Sequence, residues 1–254
     1  MRILALIPAR YASTRFPGKP LADIAGKPMI RWVYKRTAAI FPDCYVATDD
    51  DRVAAAVAGF GGRVVMTADT HESGTDRCRE ALDAVETLTG KRFDVVVNVQ
   101  GDEPFINTEQ LRQLSTMFAE ADTHIGTLVK PFSPDEDIFN PNSPKVVLTR
   151  DNYALYFSRS VIPYQRSGEA PETWRNAHVY FKHLGLYAYR AEVLREITKL
   201  KQSPLELAEK LEQLRWLENG YRIRVAITDL PNYGVDVPED LDLVVKLYNE
   251  GVLK

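Results

Sequence analysis

At 254 residues, 45% hydrophobic and 26% charged, the chain has ordinary globular composition and the length to bury a full core. Its formal net charge of −3 argues against a broad surface for nucleic acid or membrane, so a basic stretch here is local and suits a small anionic ligand. No apolar run approaches the roughly 18 residues of a spanning helix, and the start lacks the apolar region of a signal peptide; a cytoplasmic protein without membrane insertion is expected. Cys44 and Cys78 are too few and too far apart for a metal knuckle or a disulfide framework and read as buried, reduced thiols.

The first strand-like run, Ile3 to Ile7, opens into a loop through Leu21 that carries Arg10, Arg15 and Lys19 and no acid before Asp23. Pro8, Pro17, Gly18 and Pro20 stiffen it. Fixed positive charge just beyond a strand's carboxyl end, where an α/β sheet holds its ligand, predicts a polyphosphate cradle. Further strands are expected at Cys44 to Thr48, Arg63 to Met66, Asp94 to Val99 and Gly126 to Val129. Between them lie helix-like stretches at Met29 to Ala39, Asp51 to Phe60, Thr75 to Leu88 and Thr108 to Ala121. Continuous Val/Ile runs alternating with amphipathic stretches describe a mostly parallel, Rossmann-like sheet with helices on both faces.

The pattern then loosens. Phe132 to Pro144 and Arg166 to Trp174 read as loops, and Lys145 to Leu148, Tyr153 to Phe157 and Leu184 to Tyr189 as extra, partly antiparallel strands. Residues 131–190 are therefore expected to form an inserted lobe within a single domain spanning 1–254. One helix is expected from Ser203 to Asn219, with Ser203 as cap, Pro204 at its first position and Glu206 at the capping-box offset. A strand at Arg222 to Ile227 and a helix from Pro238 to Tyr248 return to the α/β pattern.

Two acidic loops stand out. Asp102, in Gln100-Gly101-Asp102-Glu103-Pro104, ends the most apolar strand, where a carboxylate is placed to hold a hard cation such as Mg²⁺ against phosphate oxygens. Asp236, in Gly234-Val235-Asp236, precedes the last helix; the neighbouring acids Glu239 and Asp240 read as first-turn helix acids. Asp50 and Asp51, after Ala47-Thr48-Asp49, read the same way. Ser73-Gly74 can offer backbone and hydroxyl groups to a base or ribose. No hydrolase triad or thiol nucleophile is evident, and a single displacement on phosphorus needs none.

Taken in order, Ile7-Pro8-Ala9-Arg10, Ser13-Thr14-Arg15, Gly18-Lys19-Pro20-Leu21, Ala47-Thr48-Asp49, Ser73-Gly74-Thr75-Asp76-Arg77, Asn98 to Pro104, Tyr153 to Arg159, His183-Leu184-Gly185, Leu211-Glu212-Gln213-Leu214-Arg215 and Gly234-Val235-Asp236 resemble the CMP-Kdo synthetases, the 3-deoxy-manno-octulosonate (Kdo) cytidylyltransferases. The resemblance implies a nucleotide-diphospho-sugar transferase type of fold. It also implies attack of the anomeric hydroxyl of Kdo on the α-phosphorus of CTP, yielding CMP-Kdo and pyrophosphate for lipopolysaccharide synthesis. By position it assigns Pro8, Ala9, Arg10, Arg15, Lys19, Thr48, Asp49, Ser73, Gly74, Arg77 and Gln100 to the nucleotide, with Lys19, Arg10, Asp102 and Asp236 as the catalytic set. Asp102 and Asp236 are implied as Mg²⁺ ligands, and Arg159, His183, Tyr187, Glu206 and Gln213 as the sugar-acid side. A cytoplasmic homodimer, with the lobe contributing to the dimer, is implied as well.

Leu207-Ala208 and Ala188 depart from the family pattern near the expected sugar pocket, which leaves a related acid such as 8-amino-Kdo open as the substrate. A sugar-1-phosphate nucleotidylyltransferase would carry Gly-x-Gly where Tyr11-Ala12-Ser13 stands. A CMP-sialic acid synthetase is not expected to carry Gln100 to Pro104, and a nucleotide-binding regulator has little need of both Asp102 and Asp236.

Overall fold

The structure is a computed structural model that describes residues 1–12, 16–166 and 173–253. Its elements in chain order are β1 (Ile3–Pro8), a 3₁₀ turn (Lys19–Leu21), the short hairpin β2 (Asp23–Ile24) and β3 (Lys27–Pro28), α1 (Met29–Ala38), β4 (Cys44–Thr48), α2 (Asp51–Gly59), β5 (Val64–Met66) and α3 (Gly74–Thr89). There follow β6 (Val95–Asn98), α4 (Thr108–Thr116), β7 (Ile125–Pro131), β8 (Lys145–Leu148), β9 (Ala154–Ser158), α5 (Trp174–Ala177) and β10 (Phe181–Arg190). The chain closes with α6 (Ala191–Ile197), α7 (Pro204–Glu209), α8 (Gln213–Glu218), β11 (Ile223–Ile227) and α9 (Pro238–Asn249).

Among the described residues the central sheet runs β5-β4-β1-β6-β10-β7-β11, with the β8–β9 hairpin branching from β10. The pairs β1–β4, β1–β6, β4–β5 and β7–β11 are parallel. Because successive side chains of a strand point to opposite faces, β1 divides itself between two cores. Leu4 and Leu6 pack with Ala81, Leu82 and Val85 of α3, Leu194 of α6 and Trp216 of α8. Ala5 and Ile7 pack with Ile30 and Val33 of α1, Val53 of α2 and Leu114 of α4. That double coverage is why the strand sequences are apolar without alternation. A separate cluster, with Met29, Phe105, Val235 and Val244, docks α9 beside α1. Cys44 and Cys78 are free and buried, as expected.

Four expectations change. β10, whose Leu184 to Tyr189 part was placed in the lobe, lies inside the central sheet, antiparallel between β6 and β7. Alternating Tyr187, Ala188 and Tyr189 serve both cores there. The helix expected through Ala121 ends at Thr116 and tightens into a 3₁₀ turn over Met117–Ala119. Arg190 takes the carbonyls of Phe118 and Glu120, which stabilises that ending. The loop expected over Arg166 to Trp174 includes 167–172, outside the described residues, and Trp174 itself begins the short helix α5.

The single helix expected from Ser203 to Asn219 is two. Its capping box forms as read, but Lys210 enters the left-handed region at φ 52° and separates α7 from α8. Arg159 Nε donates to the Glu209 carbonyl at 2.6 Å and Nη2 to that of Lys210 at 3.3 Å, so the carbonyls freed by the break are satisfied. The break buries Leu211, Leu214 and Trp216 while Leu207 stays exposed, an arrangement one continuous helical stripe would not give.

Candidate active site at the ends of β1 and β6

From β1 the chain adds β4 and β5 on one side and β6 on the other, so strand order reverses at β1, and the crevice beyond the carboxyl ends of β1 and β6 is where such sheets bind ligands. A cavity of about 460 Å³ opens there, walled by Pro8, Ala9, Arg10, Lys19, Gly74, Arg77, Gln100, Gly101 and Asp102 among others. Two glycines make the walls close. A Cβ on Gly101 would stand 2.8 Å from the Pro8 carbonyl oxygen, and one on Gly74 would stand 3.3 Å from Pro8 Cγ.

Lys19 is the centre of charge. It follows Gly18, whose φ of 72° starts the 3₁₀ turn. Its ammonium donates to Asp102 Oδ2 at 2.6 Å and to the Val235 carbonyl at 2.9 Å, and stands 3.9 Å from Asp236 Oδ1. The Val235 amide in turn donates to the Asp102 carbonyl at 2.9 Å. The two carboxylates can thus be no farther apart than those two ion-pair distances laid end to end, within the roughly 10 Å that a water-bridged shared cation permits. Glu103, buried beside Asp102, has its carboxyl pushed up to about 8, first by loss of hydration and then by the Asp102 charge.

The remaining nucleotide-side residues fall in two groups. Arg10 is exposed and its Nη1 donates to the His71 carbonyl at 3.2 Å. Arg77, assigned to the nucleotide by the resemblance, is buried in the first turn of α3: Nη1 donates to Thr67 Oγ1 at 2.6 Å, and Nη2, 3.4 Å from Asp49 Oδ2, makes no hydrogen bond among the described residues. Thr48, Asp49 and Ser73 are not among the residues that line this cavity. Asp49 is the counter-charge of Arg77, Thr48 is buried at the end of β4, and Ser73 caps α3 by accepting from the Asp76 amide at 3.1 Å. Asp50 caps α2. Arg15 lies outside the described residues.

On the sugar side, pairing of β10 shifts register between His183 and Tyr187, at Gly185 with φ 73°. Residues four apart in a regular strand are about 13 Å apart; this bulge brings the His183 and Tyr187 rings to 5.1 Å between centroids. It also presents the Gly185 carbonyl to Gln100 Nε2 at 3.2 Å, joining the two sides. His183 lies 3.0 Å from Thr127 Oγ1, and loss of hydration pushes its imidazole down to about 3, so it is neutral. The Tyr187 hydroxyl and Gln213 Nε2 are buried with no hydrogen-bond partner among the described residues.

Arg159 and Glu206 are placed differently from that pair. The Arg159 guanidinium reaches the carbonyls of Glu209, Lys210 and Pro141. Glu206 accepts from Arg215 Nε at 2.8 Å and Nη2 at 2.6 Å, a buried two-pronged ion pair, and closes its capping box. Glu206 and Ser73 nevertheless share the wall of a smaller cavity of about 200 Å³. Three participants were not singled out in the sequence: Thr67, which orients Arg77; the Val235 carbonyl, which orients Lys19; and Glu212, whose Oε2 accepts from Thr75 Oγ1 at 2.7 Å and whose carboxyl burial pushes up. Glu212 adjoins Gln213 within a quoted motif, the one signal that could have found it.

A nucleotide-sized cavity at the switch point of a three-layer sheet, with cations and carboxylates crossing its mouth, belongs to the nucleotidyl-transferring class, and a family model described as cytidylyltransferase matches residues 4–223. The 3-deoxy-manno-octulosonate cytidylyltransferase of Parabacteroides distasonis is 58% identical over 95% of this chain and 96% of its own. That of Bacteroides thetaiotaomicron is 59% identical over 95% and 96%. A solved CMP:2-keto-3-deoxy-manno-octonic acid synthetase, in complex with CTP, superposes with a TM-score of 0.89 at 41% identity over 99% of this chain and 100% of that one. The chain belongs to the 3-deoxy-manno-octulosonate cytidylyltransferase family.

Proposed function

We propose that the chain transfers CMP from CTP to the anomeric hydroxyl of Kdo, releasing pyrophosphate. The observation that carries this is Lys19 held between Asp102 and Asp236 at the mouth of the cavity, in a chain so similar to enzymes of that name. The names of those relatives favour Kdo over 8-amino-Kdo.

In this reading Lys19, Arg10 and Arg15 neutralise the triphosphate, and the cations stabilise charge that builds on the leaving pyrophosphate. Gln100, held by the Gly185 carbonyl, and Gly74 edge the space for the base. The hydroxyl of Tyr187 and the amide of Gln213 offer hydrogen bonds to sugar hydroxyls, and neutral His183 orients rather than ionises. The two carboxylates suit Mg²⁺ by chemistry, both being hard oxygen donors brought within reach of one ion by Lys19. Such a pair fits an ion that takes part of its shell from substrate phosphates. Bound there, Mg²⁺ would polarise the α-phosphate and lower the pKa of the sugar hydroxyl. Asp102 and Asp236 would hold it, Lys19 being shared between them.

A homodimer is part of the same proposal, supported by exposed apolar residues of the lobe: Leu155, Tyr164 and Val179 are each more than half exposed. No helix among the described residues is long and apolar enough to cross a membrane, and a cytoplasmic location follows from CTP as donor. Pyrophosphate release measured with CTP, ATP or GTP against Kdo, 8-amino-Kdo and sialic acid tests the reading. CTP with Kdo should be strongly preferred; equal turnover with ATP, or with sialic acid, would overturn it.

A further inference from the structure

Resting on the reading of Asp236 as a metal-holding carboxylate, we infer that Asp240 is a positioning residue that fixes Asp236 toward Asp102 and so sets the affinity of the site for its divalent cation. Glu239 and Asp240 look alike in sequence, two acids in the first turn of α9. The structure separates them. Asp240 Oδ2 accepts from the Asp236 amide at 2.8 Å and from the Val237 amide at 3.0 Å, whereas Glu239 is exposed.

The bonds of Asp240 complete a frame around one residue. Upstream, the Val235 side chain is fully buried with Met29, Phe105 and Val244. The Val235 amide donates to the Asp102 carbonyl at 2.9 Å, and its carbonyl accepts from Lys19 at 2.9 Å. Downstream, one carboxylate oxygen gathers two successive amides. Val237, the N-cap residue of α9, has no side-chain oxygen for the helix end, so Asp240 both caps the helix and turns the chain. Asp236 itself is 60% exposed at its side chain, so apolar packing does little to fix its direction and the orientation of its backbone helps set where its carboxylate points. Groups that orient a metal-holding residue typically change metal affinity by about 10–100-fold when removed.

A helix cap alone makes a different prediction from a positioning residue, and Mn²⁺ binding to the enzyme–CTP complex without sugar, read by electron paramagnetic resonance, separates them. Asp236→Asn should weaken Mn²⁺ binding, and Asp240→Ala should weaken it by about tenfold or more. Asp240→Asn, whose amide oxygen can accept from both backbone N–H groups, should restore most of the affinity. Glu239→Ala removes the same first-turn charge without those bonds and should leave affinity unchanged. Loss of the cap should lower the melting temperature by only about 2–4 °C; if Asp240→Ala nevertheless fails to fold, Asp240→Glu, which keeps the charge but displaces the oxygen, carries the same readout. Wild-type Mn²⁺ affinity in Asp240→Ala or Asp240→Glu, alongside weakened binding in Asp236→Asn, would overturn the inference and leave the metal reading standing. Wild-type affinity in Asp236→Asn would remove the metal reading, and this inference with it.

Discussion

On the β1 side of the crevice the charges face counter-charges: Lys19 is shared by Asp102, Asp236 and the Val235 carbonyl, and Arg77 faces Asp49, with Arg77 Nη2 and Asp49 Oδ1 buried and making no hydrogen bond among the described residues. On the β10 side the Tyr187 hydroxyl and Gln213 Nε2 are buried without hydrogen-bond partners among the described residues, while Arg159 and Glu206 are engaged in holding α7 and α8. The first half is a charge network in which, under the proposed function, a polyphosphate and its counter-ion would exchange one set of charged contacts for another. The second is a scaffold presenting a few desolvated donors, each costing stability that a hydroxyl-rich ligand would recover. Charge tolerates solvent and can be carried on loops; unpaired buried donors need rigid backing, which the Arg215–Glu206 pair and the Tyr187–Trp216 contact at 5.1 Å provide.

The largest effect should come from breaking that backing. Glu206→Ala leaves Arg215 buried without its partner, and the expected cost is about 3–5 kcal/mol of folding stability, measured by urea unfolding. CTP affinity should stay within about twofold, because no atom of the Lys19 network is touched. A loss of CTP affinity as large as the loss of stability would erase the division between the halves.

Next is the charge network itself. Asp102→Asn keeps size and hydrogen bonding but removes one of the two charges on Lys19, and kcat should fall roughly a hundredfold or more. The melting temperature should hardly move, since the pair is partly exposed and worth little to folding. Unchanged kcat in a folded variant would mean that the carboxylate only orients Lys19.

The same division decides what could be read from the sequence. The nucleotide half sits in short contiguous motifs, where Gly101 is dictated by contact with Pro8 and Lys19 by its place after Gly18. Those motifs, and the parallel strands ending in them, were legible. The sugar half depends on long-range placement. β10 entering the sheet between β6 and β7, the bulge at Gly185 and the break at Lys210 each follow from partners far along the chain, Arg159 among them. Helical periodicity over Ser203 to Asn219 carried no sign of a break supplied from a distant strand. For the same reason Arg159 was read for its chemistry toward a sugar and not for the carbonyls it serves, and Glu206, whose capping-box place was legible, was not read for its ion pair with Arg215.

His183 sharpens the contrast through pH. Its folded value of about 3 lies below the ordinary 6.5 because burial disfavours the cation, so the unfolded chain takes up the proton first. The stability that neutral His183 contributes is therefore complete above pH 6.5 and is lost progressively as pH falls toward 3, on the order of 2 kcal/mol by pH 5. Urea unfolding at pH 7.5 and pH 5 should show wild type losing that increment and His183→Gln losing less. An equal loss in both proteins would mean that His183 does not carry the acid sensitivity of this half.

The smallest effect, and the one that most directly probes the scaffold reading, is at Tyr187. Replacing its hydroxyl with hydrogen in Tyr187→Phe removes a buried polar atom that has no partner among the described residues, while the ring keeps its contacts with His183 and Trp216. Stability should stay the same or rise by up to about 1 kcal/mol, since the desolvated group costs free energy in the folded chain. If a sugar hydroxyl pairs with Tyr187, the KM for Kdo should rise by about tenfold, consistent with a lost hydrogen bond of about 1.5 kcal/mol, and the KM for CTP should not change. Opposite movement of stability and sugar KM is the signature of a donor held in reserve for a ligand. A fall in stability with an unchanged sugar KM would instead assign the hydroxyl to the fold and remove it from the donors reserved for a ligand.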